Sequence, residues 1–451
     1  MTTPTSSAPP KTLKATLALY ADRRLAAIFV LGFASGFPWV LIGSAMTAWL
    51  QEAGLSRTAI GLFGSIFVAY TVNFAWSPLV DRWRLPGLGV LGQRRSWIVA
   101  TQGLMLLGVL AISWGDPRES LWLLSAVALS IAVASATQDV AIDAYRIEII
   151  GRDEPAKMPP AAAMATAGWW TGYSLPGALA LTLADLPAVD WGMVYGVLAG
   201  VLAALMAVVV GLLKEPPGVR DPRQGTAPGH PSWREMWAWW VTTFTEPFRE
   251  FFVRNGWRLA LAILGFVVLF KVGEAFLGRM SIVFYKEIGF SNTEIAAYSK
   301  VIGWWVIIVF AVVGSAINAH FGLVRGLFIG GVAMAASNLL FALLAVTGPV
   351  PELFVLAVVV DNFTTAFSTV AFVAFISHLT SRLYTATQYA ALASLGNLGR
   401  TLLASASGAM VDGLAGDWAT FFVVTALMVT PGLMLLLRIG RAATPALRPA
   451  S

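Results

Sequence analysis

The sequence predicts an all-α polytopic membrane protein, with twelve helices arranged as two parallel six-helix repeats. Three observations carry this. Hydrophobic residues make up 57% of the 451-residue chain and charged residues only 12%, with a mean hydropathy of +0.74. A soluble chain carries roughly twice that charged fraction. Apolar runs of about 20 residues, the length that crosses a bilayer, recur throughout. Finally, Glu52-x-Gly54-Leu-Ser56-x-Thr58-x-Ile60 returns as Glu287-x-Gly289-Phe-Ser291-x-Thr293-x-Ile295, each copy between the first two spans of a half.

The elements follow from runs and breakers. Residues 1–24, rich in Thr, Ser, Pro and Lys and without an apolar centre, read as a solvated cytoplasmic tail, not a cleavable signal peptide. Spans 1 to 6 fall near 25–51, 57–81, 96–115, 120–147, 157–184 and 190–213 and form an amino-terminal bundle, 25–214. A Pro/Gly-rich stretch from Lys214 to Pro231 opens a cytoplasmic linker, 215–256. Within it, Ser232-Trp-Arg-Glu235 is a capping-box signature. Trp233, Trp237, Trp240, Phe244, Phe248 and Phe251 follow at helical spacing, which predicts an amphipathic helix in the membrane interface. Spans 7 to 12 fall near 257–286, 291–317, 324–347, 352–380, 385–412 and 418–438, giving a second bundle, 257–440, and a tail, 441–451.

Charge fixes the expected orientation. Arg23/Arg24, Arg82 to Arg95, Arg152/Lys157, Lys214 to Arg258, Arg325, Arg382 and Arg438/Arg441 fall in alternate loops, so both termini are expected in the cytoplasm. The net charge of +6 therefore speaks to topology and not to nucleic acid. With no cysteine, disulfides, thiol chemistry and thiolate metal sites are excluded. His230, His320 and His378 show no metal-binding spacing, and Gly87-Leu-Gly89-Val-Leu-Gly92 has no strand before it to make a nucleotide loop. No hydrolytic or ATP-binding pattern is present, so the chain reads as a transporter and not an enzyme, with no cofactor beyond a proton gradient.

Intramembrane charges are site candidates because each costs several kcal/mol unless it faces a cavity or a partner. Lys271 lies about 20 Å of helix from the start of span 7, with Glu274 one turn on; Arg400 is equally deep in span 11. Asp361 sits within span 10 beside Asn362, and Lys300 within span 8. The alternative for Lys271 and Glu274 is a buried pair that only fixes helix packing. Span 4 ends in Ser135-Ala-Thr-Gln138-Asp139-Val-Ala-Ile-Asp143-Ala-Tyr-Arg146-Ile-Glu148, a polar stripe expected at the seam between the halves. Asp139 and Asp143 are one turn apart. Burial disfavours the charged form of such a carboxylate, so it can load and release a proton as access alternates; Glu148 reads as a cap already in water. Asn73, Trp76, Trp169, Trp170, Trp304, Trp305, Asn338, Gln388 and Asn397 could complete a sugar- or peptide-binding wall, or serve helix packing.

The two parallel repeats match the major facilitator architecture. Asp81-Arg82 with Arg94-Arg95 resembles its signature between spans 2 and 3, and Gly314…Asn318…Gly322…Arg325 is a degenerate second copy. That resemblance implies a charge network holding the cytoplasmic gate shut. More narrowly, Leu31-Gly-Phe-Ala-Ser-Gly36-Phe-Pro38, Trp76-Ser-Pro78-Leu-Val-Asp81-Arg82, Arg94-Arg95-x-Trp97, Ser135-Ala-Thr-Gln138-Asp139-x-x-x-Asp143-Ala, Lys271-x-Gly273-Glu274-Ala275-Phe276 and Ala386-Thr-Gln388 resemble the AmpG muropeptide permeases. The resemblance covers nearly the whole chain. It implies a bacterial inner-membrane importer of anhydromuropeptides, driven by the proton motive force, that feeds peptidoglycan recycling and in some bacteria β-lactamase induction and so antibiotic resistance.

Taken together, the expected substrate-binding residues are Lys271, Arg400, Gln138, Glu274, Lys300, Asp361, Trp76 and Asn73. The expected proton-coupling residues are Asp139, Asp143 and Glu274, and the gate is Asp81, Arg82, Arg94 and Arg95. The partners implied are membrane lipid, an anionic glycopeptide and protons, with the chain acting as a monomer. Two readings stay open beside this one. The chain could carry another large anion, such as an acyl-CoA or a siderophore, or it could be a non-transporting membrane sensor or scaffold.

Overall fold

The structure, a computed structural model, describes residues 22–83, 85–150, 154, 157–215, 233–310, 323–379 and 385–442. The head, most of the Pro/Gly-rich linker, the degenerate copy at Gly314 to Gly322 and the tail beyond 442 lie outside these residues. So do the side chains of Asp81, Arg82, His378 and Gln388 and of Trp233, Trp237, Trp240, Phe244 and Phe248 on the expected aromatic face.

Among the described residues the chain is helical and has no strand. Ten segments are long and apolar enough to cross a membrane. They are α1 (Arg23–Glu52), α2 (Arg57–Ala75), α3 (Gln93–Ser113), α4 (Leu121–Ile150), α6 (Trp191–Gly211), the run Arg249–Glu287, α9 (Asn292–Phe310), Val324–Thr347, Pro351–Val373 and α14 (Trp418–Arg441). The two other expected spans are also helical, as α5 (Met158–Ala184) and as α12 (Thr385–Ala404) followed by α13 (Ser407–Gly413). The run Arg249–Glu287 contains the end of α7 (Trp233–Leu269) and all of α8 (Val272–Glu287), while α10 is Leu323–Thr347 and α11 is Pro351–Leu379.

The repeated motif has a physical explanation. Gly54 and Gly289 take positive φ, +82° and +109°, and close the helix before them. Ser56 and Ser291 then cap the next helix, accepting from the N–H of Ala59 and of Glu294 at 3.2 Å. Ser291 and Glu294 complete a capping box. Each copy is thus a helix stop followed by a helix start.

Several spans expected as continuous are interrupted, and three of these interruptions bear on the site. In α1, Pro38 lacks an N–H and a π-turn follows at Val40–Ser44. Gln138 Nε2 donates to the Ala34 carbonyl, the acceptor left open four residues before the proline, at 2.9 Å. The Leu41 carbonyl within the π-turn accepts from Tyr195 Oη at 2.6 Å. Second, α2 contains 3-10 segments at Gly64–Val68 and Asn73–Ala75. Third, span 7 breaks at Phe270-Lys271, where Lys271 has φ −110° and ψ 13°. No proline signals this break. Phe270 is fully buried against Phe266 (5.0 Å) and Phe372 (5.7 Å), and Gly273 lets its backbone meet the Thr425 carbonyl. Gly256, at φ +71°, separates the linker helix from span 7, one residue before the expected start at 257.

The chain packs as two compact units, 1–46 with 73–230, and 47–72 with 231–451. The first has a core of Leu31, Ala34, Val80, Ile98, Ala141, Ile142, Tyr145 and Val209. The second is centred on Phe251, Phe266, Phe270, Leu327, Phe375, Leu392 and Leu436.

Candidate functional site

In the first unit, the frame of the site is the packing of α1 on α5. Gly32 and Gly36 form a G-x-x-x-G on α1, and Gly168 and Gly172 form another on α5. A Cβ at Gly32 or Gly36 would fall on the carbonyl of Ala165 or Trp169; at Gly168 or Gly172 it would fall on that of Phe29 or Phe33. Each helix thus presses its glycines against the other's backbone, the small-residue packing that membrane helices use in place of a hydrophobic drive. This holds Ser35 and Trp169 in fixed register with α4.

The polar stripe of α4 meets that frame. Asp139 Oδ1 accepts from Ser35 Oγ at 2.6 Å. One turn on, Asp143 pairs with Arg146 at 3.0 Å, its side chain 66% exposed. These groups, with Thr166, Trp169 and Trp170, line a cleft of about 290 Å³. The lining residues all belong to the first unit, and the stripe opens into a cleft built by α1, α4 and α5. Gln138 is completely buried, its amide committed to the Ala34 carbonyl rather than to the cleft. Asn73 Nδ2 donates to the Ala136 carbonyl (3.3 Å) and Trp76 Nε1 to Thr137 Oγ1 (3.0 Å), so both brace the buried flank of α4.

At the far end of α4, the expected gate arginines are tied within the same unit. Arg94 pairs with Glu148 at 2.7 Å, so Glu148 is an ion-pair partner rather than a cap in water. The backbone N–H groups of Arg94 and Arg95 donate to Glu215 at 2.7 and 3.0 Å. In return the Arg95 guanidinium donates to the carbonyls of Val209 and Val210, at 3.1 and 2.6 Å. The start of α3 and the end of α6 therefore cap one another.

In the second unit, Lys271 is 3% exposed and sits at the break between α7 and α8. Its Nζ donates to Glu274 Oε2 (2.8 Å) and Thr369 Oγ1 (2.7 Å). Asp361 and Arg400 lie within electrostatic reach of it. Asp361 accepts from Ser337 Oγ at 3.2 Å, and the Arg400 guanidinium donates to the Asn397 side-chain carbonyl. Four expected site residues are thus gathered around one broken helix. Lys300 is buried in a π-turn of α9, and Asn338 Nδ2 donates to Thr425 Oγ1 at 3.0 Å. Trp304 and Trp305 pack on each other with centroids 4.7 Å apart.

The repeat junctions also meet in the second unit, through an exchange. Each motif glutamate accepts from the residue five places on in the other copy. Arg57 donates to Glu287 at 2.8 and 2.9 Å, and Asn292 Nδ2 donates to Glu52 at 2.8 Å. Lys286 pairs with Glu52, Trp418 Nε1 donates to Glu287 (2.8 Å), and Asp412 binds Arg57 (3.1 Å) and caps α2 at Thr58 N (3.0 Å).

Sequence reasoning missed Ser35, Thr369, Ser337, Glu215 and Arg279. The last is an intramembrane arginine whose guanidinium lies 5.0 Å from the Phe67 ring centroid and against Gly64. The depth rule that flags Lys271 also flags Arg279. The hydroxyls carry no such signal, since a Ser or Thr in an apolar helix is commonplace.

The Major Facilitator Superfamily model matches residues 28–312. The anhydromuropeptide permease of Escherichia coli K12 is 32% identical over 93% of this chain and 80% of its own. A Rickettsia felis protein named as an AmpG 4 transporter is 31% identical over 94% of this chain and 98% of its own. Among solved structures, the nucleoside transporter NupG superposes with a TM-score of 0.67 at 17% identity, covering 93% of this chain and 98% of that one; this likeness is one of fold.

Proposed function

Since this chain belongs to the major facilitator superfamily and, within it, to the AmpG transporters, we propose that it imports anhydromuropeptides across the bacterial inner membrane in symport with protons. In this reading twelve helices cross the membrane, both termini are cytoplasmic, and the carrier works as a monomer. The observation that carries the substrate is the likeness, over nearly the whole chain, to the E. coli anhydromuropeptide permease.

Elementary electrostatics supports proton coupling. Each negative charge moved into a negative-inside cell works against about 2.3 kcal/mol per 100 mV. A muropeptide carries several carboxylates, and each proton that accompanies it offsets one of those charges. Asp139, hydrogen-bonded by Ser35 and lining the cleft, is the group assigned to carry the proton, with Asp143 one turn away.

Substrate carboxylates are assigned to Lys271 and Arg400. A buried ammonium is tolerable only while paired, and Glu274 and Thr369 supply that pairing at rest. An arriving carboxylate takes over part of Glu274's role, so the ammonium is never left bare. Glu274 then becomes a second group able to take a proton.

Uptake of labelled GlcNAc-anhydromuropeptide into proteoliposomes tests the reading. An inward proton gradient should drive accumulation, and dissipating the gradient should abolish it. Accumulation that ignores the gradient refutes symport. Uptake displaced by an acyl-CoA or a ferric siderophore, with no muropeptide uptake, refutes the substrate. Wild-type uptake by a Lys271→Ala, Arg400→Ala double variant refutes the assignment of the carboxylate site.

A further inference from the structure

We propose that the cleft between α1, α4 and α5 is the saccharide subsite, taking the neutral N-acetylated sugar end of the substrate against Trp169 and Trp170. This inference rests on the muropeptide reading above and adds to it a division of the substrate by chemistry.

Size comes first. At about 290 Å³ the cleft is at the small end of ligand sites, which run roughly 300–1,000 Å³. It therefore holds part of a glycopeptide and not the whole.

Charge then selects which part. The peptide end is anionic, and in this cleft it would meet the carboxylate of Asp143, and that of Asp139 whenever its proton is absent, with the lining cation, Arg146, already paired to Asp143 at 3.0 Å. Like charges repel, and among the described residues the cleft lining offers no other cation to offset this. A sugar ring carries no charge and offers hydroxyls and amides as donors and acceptors. Asp143 and Arg146 can receive and give such bonds, and the Thr166 hydroxyl, which donates to the Ala162 carbonyl at 3.0 Å, can accept one.

Shape makes the same selection. Trp169 and Trp170 have ring centroids 5.0 Å apart with planes at 82°, so the two indoles form a right-angled corner. A pyranose presents an apolar face of C–H groups and a polar edge. One indole can cover the face while the other bounds its side, leaving the edge toward Asp143 and Arg146. The corner is rigid. Trp169 stacks on Tyr173 at 5.6 Å and meets Trp39 edge-on at 5.5 Å, and its backbone is locked by the seam at Gly36. Little ordering is therefore left for the ligand to impose.

The test separates this inference from the one beneath it. Labelled anhydromuropeptide uptake is challenged with two competitors, the peptide-free GlcNAc-anhydroMurNAc disaccharide with its lactyl carboxyl capped as the amide, so that it is neutral like the sugar end of the substrate, and the sugar-free peptide. Trp170→Ala should raise the half-inhibitory concentration of the disaccharide at least tenfold and that of the peptide less than threefold. Trp170→Phe, which keeps an aromatic face, should fall between wild type and alanine, and Thr166→Val should weaken the disaccharide alone by several-fold. Equal losses for both competitors, losses for the peptide alone, or no change would overturn the inference while leaving the transport reading intact. Calorimetric titration of the disaccharide onto purified wild type and Trp170→Ala reads the cleft directly. Wild-type binding that the variant loses supports the inference even if uptake fails; equal binding, or none to wild type, overturns it. Thermal unfolding of each variant identifies any that has lost its fold, and Trp170→Phe and Thr166→Val then carry the comparison.

Discussion

Replacing Gly172 by alanine tests the seam that holds the cleft together. The added methyl would lie 2.8 Å from both the carbonyl carbon and the Cα of Phe33. Carbon atoms prefer about 3.5–4.0 Å, so α1 and α5 must part by roughly 0.7 Å or more. A gap of that size forfeits a quarter to a half of each dispersion contact along the seam, and overpacking of this kind costs ~1–3 kcal/mol. Gly200 on α6 is the control, since nothing lies within 4 Å of a Cβ there. Gly200→Ala should be neutral or stabilise by up to ~1 kcal/mol through helix propensity. Thermal unfolding in detergent should place Gly172→Ala several degrees below wild type and Gly200→Ala level with it or above. Uptake should fall with Gly172→Ala because Ser35 and Trp169 move relative to Asp139. Equal stability and uptake in the two variants would refute the close packing of these helices and the positioning role assigned to it.

Gln138→Leu should destabilise by ~1–3 kcal/mol, the cost of a buried acceptor left unpaired, because the Ala34 carbonyl loses the donor that Pro38 cannot replace; chemical unfolding of the purified variant reads this. A double-mutant cycle on Arg57→Ala and Glu287→Gln should give a coupling of ~1 kcal/mol or more, since the pair is bidentate and only 28% and 23% exposed; a coupling near zero would make it a surface pair of no consequence. At the start of α1, cations hold the carboxyls of Asp22 (Arg24, then Lys157) and Glu154 (Arg24, then Lys157) below their ordinary values, Glu154 at about 2. A lowered folded value means the stabilisation is complete above about pH 5 and is lost as the pH falls through about 4 toward 2. The acid-induced drop in Tm over that window should therefore be smaller in an Asp22→Asn, Glu154→Gln variant than in wild type.

The long spans were legible because a bilayer imposes a length and a polarity that no tertiary contact overrides. The junction repeat was legible too, since Gly54 and Ser56 recur as Gly289 and Ser291 for the same local reasons of helix stop and helix start. Lys271, Glu274, Arg400 and Asp361 could be singled out because a charge at membrane depth is conspicuous. What stayed hidden depends on which helix lies against which. The two G-x-x-x-G pairs are plain in the sequence, yet nothing local says that Gly32 and Gly36 face Gly168 and Gly172. Ser35 could not be matched to Asp139 for the same reason. Gln138 looked like a binding residue because its destination, a carbonyl freed by a proline 100 residues earlier in the chain, is a tertiary fact. The break at Lys271 has no proline to announce it, because packing at Phe270 and Gly273 makes it.

Asp139 is proposed to carry the coupled proton, and the Asp139→Asn variant tests this when two assays are run on one preparation. Asparagine can still hydrogen-bond Ser35 but cannot exchange a proton. Gradient-driven accumulation of labelled anhydromuropeptide should therefore be lost, while exchange of labelled for unlabelled substrate across the same vesicles, which needs no net proton movement, should persist. Accumulation by Asp139→Asn at the wild-type level, responding to the proton gradient as wild type does, would contradict the claim.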